Sequence, residues 1–147
     1  MKRRVFIQLA AISAAVIALP ARVFAAWDKD AFELKDQDKS IEHLYGSGTT
    51  ESSVIGLNVP EIAENGAAVN VSVDATQITG VESIAIYVHE NPRPLVAYFD
   101  LASNVVPDVS TRVKMGKSSD VTAVVKADGK VYSTTKAVKV TIGGCGG

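Results

Sequence analysis

Residues 121–142 read VTAVVKADGKVYSTTKAVKVTI. Val121, Ala123 and Val125 alternate before Asp128-Gly129, and Val131, Val138, Val140 and Ile142 supply apolar positions after it. An Asp-Gly pair accepts positive φ at both central positions of a type I′ turn, the turn whose twist suits a two-residue hairpin. The stretch predicts a β-hairpin, with strands over 121–127 and 131–142.

The same texture runs upstream. Residues 54–59 read VIGLNV, and residues 69–73 read VNVSV with strict period-two alternation. Residues 84–88 read IAIYV, continuous enough for a central buried strand. Segments 95–101 and 109–115 follow the same habit. Pro92-Arg93-Pro94 and Pro107 mark loops, because proline cannot donate to a central ladder. About seven short strands with turn residues between them predict a mainly β chain, an antiparallel sandwich or barrel. No internal repeat or heptad interrupts it.

Only residues 27–45 read as helical. WDKDAFELKDQDKSIEHLY spaces Trp27, Ala31, Phe32, Leu34, Ile41, Leu44 and Tyr45 among charges. One or two short helices are expected, ending at Gly46-Ser47-Gly48. Their apolar stripe should pack on a sheet or on a partner chain.

Before this segment, Lys2, Arg3 and Arg4 precede an apolar run, LAAISAAVIAL, over 9–19. That run is too short to span a bilayer, which takes about 20 apolar residues. Pro20 breaks it, and Val23-Phe24-Ala25 supplies small residues at a cleavage site after Ala25. Residues 1–25 are therefore expected to be a secretory signal, leaving a carrier domain over 26–142 and a tail over 143–147. Arg3-Arg4-Val5-Phe6-Ile7 resembles the twin-arginine pattern, which implies export after folding. The alternative is a general secretory signal with two unrelated arginines.

Cleavage would remove four of the 15 basic residues (Lys2, Arg3, Arg4 and Arg22) and no acidic one, leaving 11 against 16 and a net charge of −5. With no basic stripe, nucleic acid is not an expected partner. With no second apolar run of membrane length, the mature chain is expected to have no membrane segment.

The chain then ends Gly143-Gly144-Cys145-Gly146-Gly147. Glycine carries the largest conformational entropy cost on ordering, so this segment is expected to be a mobile arm. From Ile142 to Cys145 it reaches roughly 10 Å at full extension. Lacking side chains around its one sulfur, it would fit a channel too narrow for ordinary peptide. Cys145 is the only cysteine, which excludes an intramolecular disulfide. An ordinary thiol has a pKa of about 8.5, and no basic residue is nearer in sequence than Lys139. Activation should come from the pocket that the thiol enters, which is the logic of a carrier, not of a catalyst. An incidental tail, or one that forms a homodimer disulfide, is the bland alternative.

The tail, with Val138-Lys139-Val140-Thr141-Ile142 before it, resembles the signature of the SoxY family of thiosulfate-oxidation carriers. The Trp27 to Phe32 zone, Val59-Pro60-Glu61-Ile62-Ala63-Glu64-Asn65-Gly66 and the twin-arginine leader agree with it. The resemblance implies an immunoglobulin-like β-sandwich in the periplasm, paired with a homologous SoxZ subunit. It implies that Cys145 is the attachment site, with Gly143, Gly144, Gly146 and Gly147 as the arm. The implied partners are a c-type cytochrome, a di-manganese thiohydrolase and, in organisms that possess one, a sulfane dehydrogenase. The protein itself would be no enzyme and would hold no cofactor.

Other chemistry finds little support. His43 and His89 are the only histidines, and no HExxH, CxxC or CxxCH motif occurs. Asp28, Asp30, Asp36 and Asp38 lack the glycine that an EF-hand loop needs. Three rival readings remain: an exported binding module with a cysteine-linked tail, a ubiquitin-like sulfur carrier and an independent thiol oxidoreductase. The export signal and the strand count argue against the second. The missing resolving cysteine argues against the third.

Overall fold

The structure is a computed structural model that describes residues 27–141. Two short helices open it. Asp28 caps α1 (Lys29–Glu33), its Oδ1 accepting from the Ala31 N–H at 3.0 Å. Asp36 caps α2 (Gln37–Tyr45) in the same way, accepting from the Lys39 N–H at 3.0 Å. These aspartates satisfy amides that a helix start leaves without intrahelical partners. Gly46 ends α2 with φ +69°, a left-handed conformation that favours glycine, and its N–H returns to the Glu42 carbonyl at 2.7 Å.

Nine strands follow: β1 (Thr50–Glu51), β2 (Gly56–Asn58), β3 (Ile62–Ala63), β4 (Val69–Asp74), β5 (Val81–Val88), β6 (Leu95–Asp100), β7 (Asp108–Val113), β8 (Ser119–Ala127) and β9 (Lys130–Val140). They form two sheets. The larger runs β1-β9-β8-β5-β6, with β3 also pairing β9, and the smaller runs β2-β4-β7. The mainly β sandwich with a short helical segment is thus as the sequence indicates. So is the hairpin turn, with Asp128 at φ +48° and Gly129 at φ +74°.

The core lies between the sheets. Val69, Val71 and Val73 alternate inward from β4 to meet Ile84, Ile86 and Val88 of β5, and Val121, Ala123 and Val125 of β8. The other face of β5 and β8 is buried too. Ala85, Tyr87 and Val124 pack under Ala31 and Ile41 of the helices. Burial on both faces explains why IAIYV is continuously apolar while VNVSV alternates.

Two features depart from the sequence reading. β1 and β3 were not anticipated, and both run parallel to β9. The chain leaves the edge after β1, crosses to the small sheet as β2, and returns to the same edge as β3. The last strand also stops at Val140, short of residue 142. Its neighbours run out, since β8 begins at Ser119 opposite Val138 and β3 ends at Ala63 opposite Val140.

Candidate functional site

The expected attachment site, Cys145, and the glycines at 143, 144, 146 and 147 lie outside the described residues, as do Arg3 and Arg4. What the structure describes is the root from which that tail departs.

Beyond Val138, β9 has no further partner in β8. Three successive amides nevertheless remain bonded. The Lys139 N–H donates to the Glu61 carbonyl at 2.9 Å, and the Thr141 N–H donates to the Ala63 carbonyl at 3.0 Å. Between them, the Val140 N–H points the other way and donates to Ser118 Oγ at 2.9 Å. The Thr141 hydroxyl adds a longer contact to the Ala63 carbonyl at 3.4 Å. The end of β9 is thus held by β3 on one flank and by the loop before β8 on the other.

Gly66 closes this arrangement from behind. Its carbonyl accepts from the Met115 N–H at 2.7 Å. A Cβ there would lie 2.5 Å from the Met115 carbonyl oxygen and 2.8 Å from Val140 Cγ1, so only glycine permits the approach. The neighbouring loops are cross-tied as well. Asn91 donates to the Lys114 carbonyl at 2.7 Å and accepts from the Gly116 N–H at 3.2 Å. The Glu90 N–H donates to Ser119 Oγ at 3.0 Å, and Lys117 pairs with the Glu90 carboxylate at 2.7 Å. The hydrogen bond from Lys117, reinforced by its charge, holds the Glu90 carboxyl below its ordinary pKa.

The histidines lie in surface settings. His43 Nε2 meets the Asp28 carboxylate at 3.1 Å, joining α2 to the cap of α1, and His89 is exposed. Asp28 has a lowered pKa, chiefly because it accepts from the Ala31 backbone. Among the described residues, no three His, Cys, Asp or Glu side chains converge as a metal site would require. No described helix is long and apolar enough to cross a membrane.

Ser118, Gly66 and β3 escaped the sequence reading as anchors. The one available signal was the Asn65-Gly66 turn after an isolated apolar pair, Ile62-Ala63. A two-residue strand is too short to show periodicity.

Residues 41–145 match the family described as sulfur oxidation protein SoxY. Among solved structures, the sulfur carrier protein SoxY from Chlorobium limicola f thiosulfatophilum is similar, with 42% identity and a TM-score of 0.65. The match covers 71% of this chain and 96% of that one. Two structures of a superoxide reductase (neelaredoxin) from Ignicoccus hospitalis share the fold alone. One has 19% identity and a TM-score of 0.54 over 60% of this chain and 80% of its own. The other has 18% and 0.53, over 70% and 87%. No curated protein sequence matches.

Proposed function

The chain belongs to the SoxY family of sulfur oxidation proteins, and from that membership we propose that it is a periplasmic sulfur carrier whose cargo is bonded to Cys145. The observation that carries the reading is the span of the family match, which runs through to residue 145 and so takes in the cysteine. The rigid root at Thr141 supports it, because an arm needs a fixed point of departure.

The chemistry asks little of the carrier itself. Thiosulfate joins the Cys145 sulfur as an S-thiosulfonate, the thiol losing its proton and a c-type cytochrome taking two electrons. Water then cleaves the terminal sulfur–sulfonate bond in a di-manganese thiohydrolase, releasing sulfate and leaving a persulfide on Cys145. A sulfane dehydrogenase, where the organism has one, oxidises the remaining sulfur for a second hydrolysis. Tethering keeps these species from diffusing away and presents them at high effective concentration. Residues 143–147 form the arm, and residues 1–25, with Arg3 and Arg4, direct export by the twin-arginine route.

A SoxZ-type subunit completes the carrier. β6, LVAYFD, is an outer strand of the large sheet among the described residues, and it carries no lysine, arginine or proline. Half-buried Val96, Tyr98 and Phe99 lie along it. Such an edge invites pairing unless another chain covers it.

The test compares wild type with Cys145→Ser after turnover with thiosulfate and the partner enzymes. Wild type should gain the mass of sulfur or sulfonate increments. The variant should keep its fold and gain none; equal adducts on both would refute the assignment.

A further inference from the structure

We infer that β3 and Ser118 form a clamp that sets the length of the arm by holding the chain through Thr141. This deepens the carrier reading and rests on it.

The large sheet alone would release the chain earlier. β8 contributes its last pairing at Val138, so without other contacts residues 139–147 would hang free. Instead the amides of Lys139, Val140 and Thr141 are held in turn by the Glu61 carbonyl, Ser118 Oγ and the Ala63 carbonyl. The fit of Gly66 against Met115 and Val140 keeps β3 in place. β3 itself is only two residues long and, among the described residues, pairs only with β9. Its backbone pairing orders the end of β9, while Ala63 also packs into the core between the sheets.

The difference in reach is large for so small a device. From Thr141, Cys145 lies four residues away, or about 14 Å at full extension. From Val138 it would lie seven residues away, or about 25 Å. A longer tether also dilutes its end, with effective concentration falling roughly as the −3/2 power of length. A clamped arm therefore presents the sulfur within a narrow shell around the root. The clamp residues touch no cargo; they position the arm.

The experiment reads the tether directly, on the full mature chain in complex with its partner subunit. Amide hydrogen exchange is followed at residues 139–141, and a nitroxide on Cys145 reports arm motion. Neither readout needs sulfur transfer, so a failed clamp and a failed carrier reading stay distinguishable. Wild-type amides at 139–141 should exchange at least about 100-fold more slowly than in free peptide. Ser118→Ala should release Val140, Ser118→Thr should restore it, and Gly66→Ala should release all three while β8 stays protected. The label should become more mobile in Gly66→Ala, and the thiohydrolase KM for the loaded carrier should rise about two-fold at constant kcat. Inserting three glycines after Ile142 should reproduce that KM with the clamp intact. Intrinsic-rate exchange at 139–141 in wild type, or a label indifferent to Gly66→Ala, would overturn the inference.

Discussion

The hydroxyls of Ser40 on α2 and Tyr87 on β5 lie 3.4 Å apart, and both residues are fully buried. Ser40 also donates to the Ala31 carbonyl of α1 at 3.1 Å. Its single proton is thereby used, so Tyr87 acts as the donor to Ser40. One serine thus ties two helices to the sheet. Replacing Ser40 with alanine strands the Tyr87 hydroxyl in an apolar setting, which should cost about 1–3 kcal/mol. The shift in urea midpoint at unchanged m measures it.

The same pair contributes to the alkaline limit of the fold. Burial pushes the Tyr87 pKa from 10.0 up to about 12, and Tyr98 adds to the rise. The folded value is raised, so this contribution to stability is complete below pH 10 and is lost as pH rises through about 12. Denaturant midpoints should fall over that window. Tyr87→Phe should flatten the fall, and tyrosinate absorbance should show one fewer late-titrating group.

Gly80 bears on the opposite end of the sandwich. It sits at φ +70°, and its carbonyl accepts from the Asp128 N–H at 3.1 Å. A Cβ there would collide with the Asp128 carboxylate, in the turn that joins β8 to β9. Gly80→Ala combines left-handed strain with that clash and should destabilise by about 1–3 kcal/mol. Gly116 has open space around it and no positive φ, so Gly116→Ala is the control, with little change expected in thermal midpoint.

The Glu90–Lys117 pair near the arm root should respond to pH in the other sense. The Glu90 pKa is depressed below 4.5, first by the Lys117 hydrogen bond and then by its charge. Its contribution is present above pH 4.5 and is lost as pH falls through the folded value. Lys117→Met should return the Glu90 titration, followed by NMR, towards 4.5. An unmoved titration would assign the shift to other neighbours.

Most of the sandwich was legible because its strands obey local rules. Alternation at Val69, Val71 and Val73 marks a strand with one buried face. The unbroken run at Ile84 to Val88 marks one covered twice. Asp128-Gly129 declares its turn by chemistry alone. The clamp was hidden for the opposite reason. Ile62 and Ala63 acquire strand geometry only by lying beside Lys139 and Val140, far along the chain. Ser118 is an ordinary loop serine until Val140 arrives opposite it. The tail showed the reverse pattern. Its glycines and lone thiol point to a carrier arm from the sequence alone, and residues 142–147 lie outside the described structure.

The most direct measurement is the intact mass of the natural protein from cells grown on thiosulfate, followed by mass analysis of its terminal peptide. The account predicts a population heavier by sulfur atoms or a sulfonate, removable by a thiol reductant and confined to the peptide holding Cys145. Unmodified terminal peptide throughout active thiosulfate oxidation, or adducts on any other residue, would contradict it.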